Sequence, residues 1–247
     1  MEAWPTKYPK LAELDDALCA YRNGMSLDAW RSSADERIED PDPRGRKRIL
    51  DEAQRILVAA GEHRDAMVLI LRTTGAKARR QLIAAMHYAE QSWVMKALET
   101  FVQSCMFEST APGTYASYVW ERRHTRAFVD MEIDESAAVS ARERTTKAVT
   151  EALKGIGVLD GEYLIHARPE PEVFACLLAI ELQAEHRSEC SVEWAALESK
   201  TAKFFCLESP YARVVAERAG HGAFFQSSYL AGTPRLVLDL SMQKKAA

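Results

Sequence analysis

The sequence predicts a mainly α-helical protein with helix-turn-helix elements and a small β-hairpin near the C-terminus. Three observations lead to this prediction. Apolar residues recur every three or four positions along most of the chain, which is the spacing of one face of an α-helix. Glycine and proline stand between these stretches, where helices end. Near the C-terminus two apolar runs, 224–229 and 235–240, flank Ala231-Gly232-Thr233, and a glycine in such a short connection indicates a hairpin.

The first half of the chain divides into helices at its proline and glycine residues. Ser26 is a good N-cap for a helix over about 26–38. Pro41 and Pro43 cannot continue that helix, so a second one is predicted up to Ala60, with its apolar face beginning at Ile49. Further helices are predicted at about 63–73, 77–90, 92–108 and 114–121, with a loop at 109–113.

The second half begins where the pattern becomes mixed, over 127–135. We place a division there between an N-terminal part, 1–133, and a C-terminal part, 134–247, with winged-helix-like elements. The elements predicted after it are a short helix at 135–140, a longer one at 143–155, a strand at 163–165, and helices from Pro169 to Leu182, at 191–207 and at 210–219. Four prolines are expected at helix boundaries: Pro41, Pro43, Pro169 and Pro210.

The composition is that of an ordinary globular protein, with 47% hydrophobic and 28% charged residues in a chain of 247. No stretch of about eighteen apolar residues occurs, which argues against a membrane span. The first residues lack the basic start and apolar run of a secretion signal, so we expect a cytoplasmic protein. The five cysteines are scattered singly, which indicates reduced thiols rather than a zinc site. We expect no metal and no cofactor.

The charges are segregated, although the net charge is only −4. An acidic chain is a poor candidate for tight nucleic-acid binding, but a local basic surface remains compatible with it. The basic clusters lie at 44–48, 77–80, 122–126 and 142–147.

The stretch 136–164 is the strongest candidate for a helix-turn-helix with a wing. Its second helix would begin with five polar or basic residues: Arg142, Arg144, Thr145, Thr146 and Lys147. Arginine and lysine contact phosphates or guanine edges, and threonine hydroxyls bond phosphates. The sequence therefore predicts a double-stranded DNA contact here. A helical hairpin with a solvated charged face explains the same pattern, and the sequence does not decide between the two.

A second helix-turn-helix is predicted over 26–60, with four basic residues at the start of its second helix: Arg44, Arg46, Lys47 and Arg48. Basic side chains are unfavourable at a helix N-terminus unless an anion is present. A DNA phosphate would supply that anion. The neighbouring Asp40 and Asp42 would supply it equally well. The C-terminal stretch 210–240 is similar to the tail of a winged helix, but with only Arg235 in its hairpin we assign it to packing.

Signals for an enzyme are weak. No phosphate-binding glycine loop, no serine-hydrolase motif and no paired metal-binding histidines occur. Arg80 and His87, seven residues apart on one predicted helix, loosely match the signature of helical HEPN ribonucleases, in which arginine holds phosphate and histidine transfers protons. A surface arginine and a half-buried histidine are the simpler explanation. We therefore predict no catalytic activity and keep this ribonuclease, or a structural adaptor between proteins, as alternatives.

Several stretches together resemble one known family. They are 30–57 with its Arg-Gly-Arg-Lys-Arg-Ile run, 80–89 leading to Phe101-Val102, 145–160 with its Gly-Ile-Gly-Val-Leu end, 203–208, Gly222 and 235–240. In this order the chain resembles the BrxA family of bacterial BREX (bacteriophage exclusion) defence systems. The resemblance implies a helical protein with helix-turn-helix elements that binds double-stranded DNA. It also implies partners among the other BREX proteins, including the methyltransferase, and no enzymatic activity of its own.

Overall fold

The computed structural model describes residues 11–88, 91–102, 118–133, 137–207 and 209–239. Its fold is mainly helical, as predicted, and two small antiparallel sheets accompany the helices. Within these residues, no helix combines the length and the apolar composition that crossing a bilayer requires.

The N-terminal helices follow the predicted breaks closely. Ser26 caps α2 by accepting a hydrogen bond from the Ala29 N–H at 3.2 Å, and Asp42 caps α3 by accepting one from the Arg44 N–H at 3.0 Å. Pro43 occupies the first turn of α3, where no N–H is needed. The helices are α1 Leu11–Cys19, α2 Leu27–Asp35, α3 Pro43–Ala59, α4 Arg64–Thr73, α5 Ala76–Tyr88 and α6 Ser92–Lys96, which continues into a π-helical segment, Ala97–Val102.

The middle of the chain forms the first small sheet together with two helices. In chain order the elements are β1 Tyr118–Val119, α7 Arg122–Glu132, α8 Val139–Ile156, β2 Leu159–Asp160 and β3 Tyr163–Leu164. The strand order is β1-β3-β2, and both pairings are antiparallel. Helix α8 ends at Gly157, whose φ of 90° is the left-handed conformation that terminates helices.

The C-terminal part builds a second sheet with the same strand order. Its elements are α9 Pro171–Ala184, β4 Glu189–Ser191, α10 Val192–Leu197, α11 Lys200–Phe204, α12 Ser209–Ala219, β5 Phe225–Leu230 and β6 Thr233–Leu238. The sheet order is β4-β6-β5. Ala231 and Gly232 form the two-residue turn of the β5–β6 hairpin with φ values of 50° and 82°, as a type I′ turn requires. The predicted hairpin is confirmed.

The two sheets share one topology. In each, a short strand is followed by helices and then by a hairpin whose last strand pairs with the first. This is the order of elements in a winged helix. The sequence shows no repeat because the two units share element order rather than residues.

Four predictions made for residues 114–207 are wrong. Residues 118–119, assigned to a helix at 114–121, form β1, and 114–117 lie outside the described residues. The mixed stretch from 127 belongs to α7, which runs to Glu132. The two helices at 135–140 and 143–155 are one helix from Val139 onward, since no glycine or proline interrupts it. The helix pair before the first hairpin is therefore α7 and α8. The predicted helix at 191–207 is also divided, at Glu198-Ser199, into α10 and α11.

The buried apolar side chains form one cluster that extends from Leu14 to Leu236. Helix α8 contributes to it by packing against both α5 and α7. The proposed division at 133/134 stays a prediction. The predicted proline positions hold: Pro41 precedes α3, Pro169 precedes α9, and Pro43 and Pro210 lie in first turns.

Candidate nucleic-acid interface

The start of α3 presents three basic side chains on one exposed face. Arg44, Lys47 and Arg48 are spaced by three and four residues, so they lie on the same side of the helix, and all three are exposed. None of the described residues forms an ion pair with them. Arg46 points elsewhere and lies 3.6 Å from Asp35 on α2. Three residues of the predicted basic cluster are thus available to a ligand, and the fourth, Arg46, is engaged in an ion pair within the protein.

Asp40 and Asp42 do not neutralise these three side chains. The Asp42 carboxylate accepts from the Arg44 N–H, and the Asp40 carboxylate accepts from the Asp42 N–H at 2.8 Å. Asp40 also packs over Gly45, where an added Cβ would lie 2.2 Å from its Oδ2. The two carboxylates therefore stabilise the helix N-terminus. The side-chain charges of Arg44, Lys47 and Arg48 remain available to an external anion.

On α8, only part of the predicted DNA-binding set reaches solvent. Lys147 is exposed and has no ion-pair partner among the described residues. Arg144 is exposed, and its Nε donates to the carbonyl of Ser140 in its own helix at 3.1 Å. Arg142 is mostly covered, with 17% of its side chain exposed, and its Nη1 lies 3.3 Å from Asp130. Helix α8 therefore offers Arg144 and Lys147, not Arg142.

The two threonines are in the core. Thr145 and Thr146 are each 1% exposed. The Thr146 hydroxyl donates to the carbonyl of Arg142 at 2.8 Å, which satisfies it inside the helix. The predicted phosphate contacts of these hydroxyls are therefore incompatible with their position, and both residues are removed from the interface.

Arginines and carboxylates join α7 to α8. Arg126 reaches Asp130 at 2.9 Å and Glu143 at 2.8 Å, and Arg122 reaches Glu143 at 2.5 Å. Arg142 completes the network through Asp130. Charges that neutralise one another in this way contribute little to an external field. Arg122 and Arg126 of the basic cluster at 122–126 thus join the two helices, whereas Arg123 pairs with Glu121 at the start of α7.

An Arg142→Ala variant is expected to lose about 1–2 kcal/mol of unfolding free energy while the salt dependence of DNA binding stays unchanged. Removing the guanidinium takes a mostly covered charge-assisted contact from Asp130. Urea unfolding and a DNA titration measure the two effects. Arg122→Ala is the matched control, because that side chain is 71% exposed and its ion pair should contribute less than about 1 kcal/mol. A flatter salt dependence in Arg142→Ala would contradict the assignment.

Neither hairpin adds positive charge to the interface. The turn between β2 and β3 is flanked by Asp160 and Glu162, both exposed. Arg235 in the second hairpin pairs with Glu189 on β4 at 2.7 Å. Arg235 therefore serves the packing of its own sheet, the role assigned to it from the sequence. Contacts to DNA would have to come from the helices.

The Arg80 and His87 pair does not form a surface site. Arg80 is exposed, whereas His87 is 5% exposed and its Nδ1 lies 2.5 Å from Glu52. Burial raises the pKa of Glu52, but hydrogen bonds with His87 and Arg55 outweigh burial and lower that pKa to about 2. His87 thus belongs to a packed polar cluster between α3 and α5. The ribonuclease hypothesis loses its geometric basis.

Lys154 is a basic residue that the sequence interpretation missed. It lies on the same face of α8 as Arg144 and Lys147, because spacings of three, seven and ten residues stay within a narrow arc of a helix. This spacing is visible in the sequence, but Lys154 lies two turns beyond the basic start of the helix on which the DNA-binding prediction rests. Its ammonium lies 3.7 Å from Glu151 on the same face.

The described residues contain no group of three or more His, Cys, Asp or Glu side chains arranged to hold a metal ion. No protein-family model, curated protein or solved structure matches the chain.

Proposed function

We propose that this chain is a non-catalytic protein that binds double-stranded DNA through exposed cations on α3 and α8. The observation that supports the proposal is the position of Arg144 and Lys147. They stand on the exposed face of the last helix before a wing, the helix that enters the major groove in helix-turn-helix proteins. Arg44, Lys47 and Arg48 form a second cationic surface at the start of α3.

The chemistry of these five residues favours backbone contacts over base reading. Three arginines and two lysines bind phosphate well, and no exposed Asn or Gln stands among them to read adenine. We therefore expect weak binding with little sequence preference, in the range of about 10⁻⁴ to 10⁻⁶ M that is usual for non-specific complexes. Following its resemblance to BrxA, we propose that the protein acts within a BREX defence system beside a methyltransferase.

An Arg144→Ala/Lys147→Ala variant is expected to bind a duplex more weakly and with a flatter salt dependence. Each phosphate contact contributes about −0.9 to the slope of log affinity against log salt, so two contacts change it by at most about two. The advantage of the wild type should consequently shrink roughly tenfold between about 50 and 200 mM salt. Fluorescence anisotropy of a labelled duplex of about 25 base pairs measures this.

The control is Arg22→Ala/Arg37→Ala. Both arginines are exposed, form no ion pair with any described residue and lie outside α3, α8 and α12, so the variant removes the same charge from outside the proposed DNA-binding helices. It should leave the slope close to that of the wild type. Equal losses in the two double variants would indicate that only net charge matters and would contradict the proposed interface. An Arg44→Ala/Lys47→Ala/Arg48→Ala variant, titrated in the same way, reports whether α3 contacts the same duplex.

A further inference from the structure

A concave cleft of about 340 Å³ lies between the start of α5 and the end of α8. Lys77 and Arg80 line it from α5, and Lys154 lines it from α8. The β2–β3 hairpin closes one side through Leu159, Asp160 and Gly161. The volume is at the lower end of the range, roughly 300–1,000 Å³, of sites that hold small molecules.

The lining carries an excess of positive charge. Lys77 and Arg80 are exposed and form no ion pair with any described residue. Lys154 has only Glu151, at 3.7 Å, and Asp160 is the one carboxylate among the described lining residues. Three cations that face one small cleft repel one another unless an anion lies between them.

The cleft is open to solvent at the turn of the β2–β3 hairpin. Gly161 has a φ of 60°, and nothing lies within 4 Å of the position that its Cβ would take. Leu159 and Ile165 supply apolar wall beside the cations. A site with a few charged groups and an apolar wall is suited to a small organic anion.

The charge of the cleft selects among anions. A phosphodiester of the DNA backbone carries one negative charge, fewer than the net charge of +2 that the three cations and Asp160 together give the described lining. A diphosphate or triphosphate group carries about three or four, and lysine and arginine are the residues that hold such groups in proteins. The apolar wall also has no counterpart in a phosphodiester contact. A small polyphosphate fits the cleft better than a DNA backbone does.

We infer that this cleft binds the polyphosphate group of a small molecule, such as a nucleoside di- or triphosphate. The site is distinct from the proposed DNA contact, since Lys154 lies two helical turns, roughly 10 Å, beyond Lys147 on α8. Lys77 and Arg80 bind the phosphates from the α5 side of the cleft, and Lys154 binds them from the α8 side. The inference does not depend on DNA binding.

Isothermal titration of the full chain with sodium pyrophosphate and with ATP tests this inference. Lys77→Ala/Arg80→Ala should bind both at least tenfold more weakly than the wild type does. These side chains are exposed, so the variant should keep its fold, which circular dichroism and thermal unfolding check. Lys154→Ala, at the other wall, should weaken binding in the same direction.

The matched control is Arg144→Ala/Lys147→Ala, which removes the same charge from the proposed DNA surface. Pyrophosphate affinity should survive this change, while DNA affinity should survive Lys77→Ala/Arg80→Ala. Pyrophosphate that binds no better than sulfate would overturn the inference. So would a loss of DNA affinity in Lys77→Ala/Arg80→Ala without any pyrophosphate binding, because the cleft would then be a backbone contact. Either result leaves the test of the proposed function intact.

Discussion

A Trp30→Ala variant is expected to lose roughly 3–5 kcal/mol of unfolding free energy. Trp30 is fully buried on α2, and its indole N–H donates to the carbonyl of Ala17 on α1 at 2.8 Å. Truncation removes the largest side chain of this part of the core and the shorter of two hydrogen bonds to that carbonyl, which keeps only the Ala20 N–H at 3.3 Å. For a chain of this size, the loss corresponds to a fall in Tm of about 6–20 °C.

Two further variants test whether the loss of stability comes from the missing indole N–H, from the missing buried volume, or from truncation as such. Trp30→Phe keeps an aromatic ring but loses the N–H, so it should cost less than Trp30→Ala. Leu69→Ala removes a leucine that is 61% exposed and should change stability by no more than about 0.5 kcal/mol. Urea unfolding of the three variants gives the comparison. A Trp30→Ala variant as stable as Leu69→Ala would show that the α1–α2 contact is not part of the stable core.

This contact matters for the proposed function because α2 supports the basic face of α3. Arg31, next to Trp30 in sequence, reaches Asp51 on α3 at 2.6 Å and Gln54 at 2.8 Å. Arg46 on α3 is paired with Asp35 on α2. If α2 loses its packing, the start of α3 and its three available cations lose their support.

The helical elements were predictable because local signals agree with the final packing. Ser26 and Pro43 mark helix starts in the sequence and do so in the structure. The turn at Ala231-Gly232 was equally local, since its glycine suits the left-handed backbone that a tight hairpin requires. At these positions residues close in sequence determine the element, and the prediction holds.

The strands β1 and β4 were missed for a physical reason. They contain two and three residues, too few for an alternating pattern to show, and they exist because a distant hairpin supplies their hydrogen bonds. The topology shared by the two units rests on these strands. It could therefore not be derived from local patterns.

The candidate site was only partly predictable because availability of a charge depends on distant residues. Arg142 and Lys147 look alike in the sequence, but Asp130 on α7 binds one and leaves the other exposed. Thr146 looks polar and is buried, because its own helix satisfies its hydroxyl. The cleft at Lys77, Arg80 and Lys154 joins residues more than seventy positions apart, which no spacing rule detects.

A Glu52→Gln variant is expected to lose about 3 kcal/mol of stability at neutral pH. The Glu52 carboxylate on α3 lies 2.5 Å from His87 on α5 and 2.6 Å from Arg55. These contacts outweigh burial and lower the pKa of Glu52 from 4.5 to about 2. At 1.36 kcal/mol for each pKa unit, that shift corresponds to the loss stated. The amide of glutamine keeps the shape but not the charge.

The pH dependence of this effect has a defined sign. Because the pKa of Glu52 is lower in the folded state, its stabilisation is complete above pH 4.5 and is lost as the pH falls toward 2. The stability difference between wild type and Glu52→Gln should therefore be largest above about pH 5 and shrink between pH 4.5 and 2. The neighbouring Asp51→Asn is the control, since that carboxylate is 52% exposed and its pair with Arg31 should contribute less than about 1 kcal/mol. Urea unfolding from pH 2 to 7 gives the curves. A difference that does not change with pH would show that Glu52 does not hold α3 against α5 through its charge.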